Sequence, residues 1–456
     1  MSTFTLVAKY VSIPKQEHEF ETLSACIQVN GPNITKVETC NTNDYTSYKK
    51  KWKEKYPKAT FYEHTLITPA MVDNHTHLAM NIFRDLSHRL TKLPPNMIED
   101  FFFHVESKLN KDDIRAFTRM GAYEAIAHGT GYVWDHYYHP RACAQGLADT
   151  GLSGCITGTL QDIYGPGSSF WQSTLEETLA LHQESTWSAS GVHFGLGPHA
   201  TDSVSQKLWQ EVTSLAQQHK FPIHFHLAQS KQEVQRIFAQ HQQTPVQWLQ
   251  HLGVLTAGVH LRAAHGIYLT HTDLENLRNK LSLIFCPSSA MSFAHPANIN
   301  HWEHAGVNWC LGTDCAASND SLNLLKELRI VYGWNSLQNT FNPQQENQIQ
   351  KISRNALLHK VTSTASHQVP GAPVGIIEPG ARANLAFWNI HHPSLWPGRE
   401  WKAICLSDGN NALTQMMIQG KVFTLNMHKQ DTYHAHLEEA EKRFLQVAKS
   451  THIALT

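Results

Sequence analysis

The sequence predicts an α/β fold, a (β/α)8 TIM-like barrel with a β unit built from both chain ends, on three observations. Between Met71 and about residue 340, short apolar runs alternate with amphipathic helical ones, the texture of βα units on a parallel sheet. Eight such runs can be counted, and eight parallel strands close into a barrel. Before residue 69 and after about residue 370 the alternation gives way to β-type runs separated by turns.

Taken in order, Ala25-Cys26-Ile27-Gln28-Val29 and Ile34-Thr35-Lys36-Val37 read as strands joined by the turn Asn30-Gly31-Pro32-Asn33. The basic run Lys49 to Lys55 has no second basic cluster beside it and reads as a solvated face. The barrel strands are expected at Val72 to Leu78, Gly131 to Tyr137, Gly154 to Leu160, Val192 to His199, Pro222 to Gln229, His260 to Tyr268, Leu281 to Ser288, and Asn308 to Cys315. Helices are expected at Asp112 to Ala127, ending at Gly129, and at Ser203 to Gln218, Lys231 to Gln240, Thr272 to Asn279, Ser321 to Trp334 and Asn347 to Val361. Strand material at Gly375 to Trp388 and Met416 to Phe423 can complete the β unit begun by the N-terminus. A last helix, about Asp431 to Lys449, carries His434 and His436, read as surface residues.

Barrel enzymes place their chemistry at the C-terminal strand ends. There stand His75 and His77, Gly197-Pro198-His199, His224-Phe225-His226 through Gln229, Ala263-Ala264-His265 and Gly312-Thr313-Asp314. A lone His-x-His means little, because 31 His in 456 residues give about two by chance, and three occur, at 75/77, 224/226 and 434/436. The first pair gains weight from its setting: on a strand, residues two apart leave the same face toward one point. Imidazoles joined by one carboxylate at a common rim make a metal site suited to Zn²⁺ or a similar borderline ion.

Composition narrows the partners. A net charge of -1 gives no electrostatic case for nucleic acid or an acidic membrane, so a small-molecule substrate is expected. The eight cysteines form no C-x-x-C and read as reduced, mostly buried thiols. No signal-peptide pattern and no apolar run of membrane-spanning length is found, and a cytoplasmic protein is expected.

The segments Met71-Val72-Asp73-Asn74-His75-Thr76-His77-Leu78-Ala79-Met80, Gly197-Pro198-His199, His226-Leu227-Ala228, Ala263-Ala264-His265, Cys286-Pro287-Ser288-Ser289, Leu311-Gly312-Thr313-Asp314 and Ile377-Glu378-Pro379-Gly380 resemble the amidohydrolase superfamily. The branch they resemble holds triazine hydrolases and methylthioadenosine/S-adenosylhomocysteine deaminases. The resemblance implies a composite β-sandwich from residues 1–69 and 371–430, a hydrolase barrel over 70–370 and a C-terminal helix over 431–456. It implies one divalent metal, zinc first, with iron or manganese as alternatives. His75, His77, His226 and Asp314 would be ligands, with Asp314 also the catalytic base and His265 the group that orients the attacking water. Glu106, His199 and Gln229 would contact substrate. A homo-oligomer and hydrolytic deamination of a small nitrogen heterocycle are further implications.

Departures from the pattern qualify the substrate. Gln229 stands where a proton-shuttling glutamate is usual, and an amide cannot exchange a proton at neutral pH. An amide, amidine or halogenated ring is therefore an alternative substrate, and a non-catalytic descendant a further one. No arginine occurs between Arg141 and Arg236, which argues against a substrate carboxylate. Gly266, Ala290 and Asn384 replace the usual cysteine, asparagine and aspartate, the last read as structural.

Overall fold

The computed structural model describes residues 3–15, 19–84, 94, 96–295, 297–341, 352–398, 400–407 and 409–451. Its strands are β1 (Thr3–Pro14), β2 (Phe20–Asn30), β3 (Asn33–Cys40), β4 (Thr60–Pro69), β5 (Met71–Thr76), β6 (Thr130–Tyr137), β7 (Ser153–Leu160) and β8 (Val192–Pro198). They continue with β9 (Ile223–Leu227), β10 (Leu261–His265), β11 (Ser282–Phe285), β12 (Trp309–Leu311), β13 (Leu385–Asn389), β14 (Leu413–Ile418) and β15 (Lys421–Thr424). The chain divides into two compact units. One is Met1–Asp73, Glu124–Val133 and Asn323–Met427; the other is Asn74–Tyr123, Trp134–Leu322 and His428–Thr456.

The first unit carries a seven-stranded sheet in the order β15-β14-β13-β4-β1-β2-β3, so strands from both chain ends share one sheet. Its pairs are antiparallel except β1 with β4. Alternation sorts its side chains. Leu6, Ala8, Ile27 and Val29 join Leu385, Phe387 and Met417 in one core. Val7 and Cys26 pack with Tyr45 and Trp52 of the helix Tyr45–Lys55 in another. Gln419 and Gly420 at the β14–β15 turn have φ +52° and +72°, the double left-handed geometry of a two-residue hairpin. The basic run is the outer face of the helix Tyr45–Lys55, with Lys55 Nζ 2.8 Å from Glu38 and Lys49 on Glu63.

The other sheet has eight strands in sequence order, β5 to β12. All eight expected strands are present, and the pairs from β7 to β12 are parallel. Thr76 and Asp314 form a parallel bridge that joins its ends. Asp314 N donates to His75 O at 3.0 Å and His77 N to Asp314 O at 2.8 Å. The last three strands are shorter than expected because the rim residues leave extended backbone: His265 has φ +76°, Gly266 +62° and Asp314 +61°, and Pro287 opens a short helix.

Caps place the helices near their expected limits. Ser205, Ser230 and Thr270 accept from Leu208 N, Glu233 N and Asp273 N, so the helices run Gln206–His219, Lys231–His241 and His271–Leu277. Of the helix expected over Asn347 to Val361, residues 347–351 lie outside the described residues and Arg354–Lys360 is helical. The C-terminal helix Asp431–Ser450 is held to the helix Lys111–Ala127 by Arg443 Nη1 to Asp113 at 3.1 Å and Arg119 Nη1 to Glu439 at 2.9 Å. Its His434 is exposed as expected, but His436 is half-buried, 2.9 Å from the Tyr123 hydroxyl. The cysteines are free thiols, seven buried and Cys40 partly so. No helix among the described residues is long and apolar enough to cross a membrane.

Candidate metal centre and active-site cavity

Four imidazoles and a carboxylate gather at the C-terminal ends of β5, β9, β10 and β12. His75 Nε2 and His77 Nε2 lie 3.6 and 3.4 Å from Asp314 Oδ1. His77 Nε2 lies 3.3 Å from His226 Nε2. Ligand atoms of His75, His77 and His226 are all within 4.8 Å of one another, as are those of His75, His265 and Asp314.

The far nitrogens fix the tautomers. Backbone carbonyls only accept, so His77 Nδ1–H donates to His136 O at 2.5 Å and His226 Nδ1–H to His199 O at 2.8 Å. His75 is set through a relay. Thr157 Oγ1 donates to Asp135 O at 3.1 Å, leaving its lone pairs for His224 Nδ1–H at 3.3 Å; His224 Nε2 then accepts from His75 Nδ1–H at 2.9 Å. All three ligand candidates thus turn an Nε2 lone pair inward. Two such lone pairs cannot hydrogen-bond to each other, and a cation satisfies both. His265 Nε2 is likewise buried without a hydrogen-bond partner among the described residues. The donor set therefore fits a divalent metal.

Burial keeps these rings neutral, the form a metal binds. Desolvation, then the neighbouring imidazoles, drives His75 well below the ordinary histidine value, and desolvation does the same for His226. Desolvation lowers His77 against the pull of Asp314, and takes His265 and His199 down to about 3. The backbone is bent to suit: Ala228, His265 and Asp314 hold φ of +47°, +76° and +61°, each at a cost of about 1–3 kcal/mol.

A cavity of about 530 Å³ opens on this cluster, lined by His77, Glu106, His136, Tyr137, His199, His226, Gln229 and Asp314, with Phe102, Phe103 and Phe293 as apolar walls. Burial pushes Glu106 up to about 8, with the Tyr137 hydroxyl pulling the other way. A vestibule of about 940 Å³ shares Ile98, Phe103, His199, Gln229 and Phe293 with it and adds Glu99, Tyr164, Asp202, Glu233 and Arg236. Arg236 is fully engaged there: Glu99 takes both terminal nitrogens at 2.7 and 3.1 Å, Tyr164 Oη lies at 2.8 Å and Asp202 Oδ2 at 3.1 Å.

The amidohydrolase family model matches residues 66–423. The chain belongs to the amidohydrolase family. This amidohydrolase is 27% identical over 336 residues to a 5'-deoxyadenosine deaminase of Methanothermobacter thermautotrophicus, covering 73% of the chain and 76% of that protein. It is 26% identical over 387 residues to a 5-methylthioadenosine/S-adenosylhomocysteine deaminase of Caldanaerobacter subterraneus, covering 83% and 86%. Its fold matches an adenosine deaminase from Xanthomonas campestris with bound zinc at TM-score 0.82, 21% identity and 98% coverage of both chains. It also matches an atrazine chlorohydrolase from Arthrobacter aurescens complexed with zinc at TM-score 0.78 and 15% identity, covering 97% of the chain and all of the other.

The structure of the amidohydrolase brings together every residue singled out in the sequence: His75, His77, His226, His265 and Asp314 at the cluster, Glu106, His199 and Gln229 on the cavity wall. Sequence reasoning missed His136, Tyr137 and the buttressing role of His224. A signal was present. In the apolar run Gly131 to Tyr137, His136 lies two residues from Trp134, so both leave the same face of a strand, and a polar residue on that face is worth flagging.

Proposed function

We propose that this amidohydrolase is a zinc-dependent deaminase that hydrolyses the exocyclic C–N bond of an aminated nitrogen heterocycle. The observation that carries this reading is the convergence of three Nε2 lone pairs and the Asp314 carboxylate at the mouth of the cavity. His75, His77, His226 and Asp314 would hold the metal, which when bound supplies the Lewis acidity that makes water nucleophilic at neutral pH. Asp314 takes the proton from the attacking water, a step of a kind worth about 10²–10⁴ in rate, and His265 orients that water. Glu106, protonated at neutral pH, is placed to donate a hydrogen bond to the substrate, and His199 and Gln229 hold its outer edge.

Three of the named relatives are deaminases named for adenosine or its derivatives, which makes such nucleosides the first probes. A homocysteine-type carboxylate is disfavoured, because the vestibule's arginine is already spent on Glu99 and Asp202. Domain limits at 1–69 with 371–430, 70–370 and 431–456, and a cytoplasmic homo-oligomer, complete the proposal; light scattering on the purified protein checks the last. Gln229 supports a second reading, a hydrolase of an amide, amidine or halogenated ring, whose leaving group needs no glutamate shuttle. Metal analysis followed by ammonia release from aminated heterocycles decides: stoichiometric zinc with ammonia released supports deamination, and zinc without ammonia from a broad panel rejects it. Under the second reading Gln229→Glu lowers native activity; a gain in deamination points back to the first.

A further inference from the structure

The side chain of His136 has no role assigned so far, yet it stands beside the cluster. Its ring centroid is 5.0 Å from that of His226, 5.8 Å from His77 and 6.2 Å from His199, and the residue is 1% exposed. Its backbone carbonyl holds His77 by the 2.5 Å hydrogen bond, which leaves the side chain free to do something else. Nδ1 faces Thr157 Oγ1 at 3.4 Å; that hydroxyl has given its proton to Asp135 O at 3.1 Å, so Nδ1 is the protonated nitrogen and Nε2 the lone pair. Nε2 is buried and has no hydrogen-bond partner among the described residues, and His136 is one of the residues that line the cavity. A buried acceptor left empty costs about 1–3 kcal/mol, so a donor brought to Nε2 by a bound molecule would recover a comparable amount.

We infer that His136 Nε2 accepts a hydrogen bond from the amino group that departs, and that His136 is the residue selecting an amine over a leaving group with no N–H. This rests on the deaminase reading and deepens it. Other polar groups on the wall serve less well: Gln229 lies at the junction with the vestibule, and Glu106 is a donor while its carboxyl is protonated. In the reaction a C–O bond forms to the water oxygen and the C–N bond breaks. The nitrogen leaves with a proton from the water as ammonia. An acceptor on one N–H holds the amine while its lone pair is freed from the ring for protonation. A chloride at the same carbon offers nothing to His136, and its loss as chloride needs no proton.

The test uses adenosine and 6-chloropurine riboside, which differ only in the leaving group and give the same product, with wild type, His136→Phe and His136→Gln. Zinc content of each variant is measured first, since equal loading shows the ligand set intact. His136→Phe should lower kcat/KM for adenosine about tenfold or more while changing the chloro compound less than about threefold; His136→Gln, which keeps an acceptor, should recover most of the loss. Calorimetric titration of both compounds into the zinc-loaded proteins supplies a readout without turnover. Wild type that preferentially binds the amino compound, with the preference erased by Phe, supports His136 even if neither compound is hydrolysed, in which case the deaminase reading alone falls. Equal losses for both compounds, or no wild-type preference in binding and turnover, overturns the inference.

Discussion

The inner cavity and the vestibule share one rim and handle charge in opposite ways. Inside, Glu106 has no cation beside it; desolvation wins and its carboxyl rises to about 8. Outside, Asp202 is nearly as buried, 7% exposed against 8%, but Arg236 and Tyr164 reach it at 3.1 and 2.7 Å. At equal depth the two carboxyls differ in their partners: Asp202 is held by a guanidinium and a phenol, and Glu106 meets desolvation with only the Tyr137 hydroxyl to oppose it. The consequence is a chamber in which Glu106 meets the reacting ring as a neutral carboxyl, and an approach in which Glu99 and Asp202 both close on the single guanidinium of Arg236.

The contrast breaks most severely if the inner cluster is displaced while the vestibule is left alone. Gly312 follows β12, and a Cβ there would meet His75 O, N and Cβ at 2.7, 2.8 and 2.9 Å, atoms of a neighbouring backbone that cannot swing away. Gly312→Ala should push His75 away from His77, His226 and Asp314. Metal stoichiometry should fall, and activity should drop by more than about 100-fold, the scale of a 1 Å misplacement. Unfolding should show about 1–3 kcal/mol of lost stability from overpacking. A variant with full metal content and full activity would mean that the strands separate at no cost.

Glu106→Gln sharpens the contrast through pH. A carboxyl raised from 4.5 to about 8 binds a proton in the folded chain that the unfolded chain releases. Its stabilising contribution is complete below pH 4.5 and is lost as pH rises through 8. Wild type and variant should therefore match near pH 4.5, with the variant the more stable by an amount on the order of 4 kcal/mol above pH 8, read by urea unfolding across pH. Activity of the wild type should fall above pH 8, and that limb should vanish in Gln. A difference between the two proteins that does not change with pH would show Glu106 charged throughout.

The barrel was legible because burial on both faces writes an apolar run, and each run became a strand. The strand ends were not, because His265 and Asp314 adopt left-handed backbone on demand of the rim, which no local preference announces. Residues one rank behind the metal were hidden for a related reason. His224 carried no role in the sequence beyond its place at a strand end, whereas its Nε2 supports His75 at 2.9 Å, a contact between strands far apart in sequence. Asn384 was readable as structural, and its atoms say why an amide is needed: Nδ2 donates to Gly131 O at 2.9 Å while Oδ1 accepts from Gln419 N at 2.8 Å. An ionised aspartate could serve only the second bond.

Arg236→Gln probes the outer half. It leaves Glu99 and Asp202 facing each other without a cation, and because the arginine is 37% exposed, solvent holds the loss to about 1–2 kcal/mol. Adding Asp202→Asn should recover part of that, and added salt should narrow the gap between wild type and Arg236→Gln. A loss independent of salt and of Asp202 would mean packing, not charge, is what Arg236 contributes.

The smallest expected effect tests whether the vestibule's pairing is cooperative. Tyr164 Oη donates to Asp202 Oδ2 at 2.7 Å and accepts from Arg236 Nη1 at 2.8 Å, so it links the carboxylate and the guanidinium that also touch directly at 3.1 Å. Tyr164→Phe removes one donor and one acceptor but leaves both charges and the direct contact. If the three groups act independently, the cost is about 1 kcal/mol, the ordinary value of a hydrogen bond to a paired group. If they act as one network, the loss in Tyr164→Phe should largely disappear in the Arg236→Gln background, because the bond it supports is already gone. Measuring the four corners of that double-mutant cycle by urea unfolding separates the cases. Strict additivity would mean that the Tyr164 hydrogen bond to Asp202 is worth the same with or without the guanidinium, so that the three groups are neighbours rather than a network.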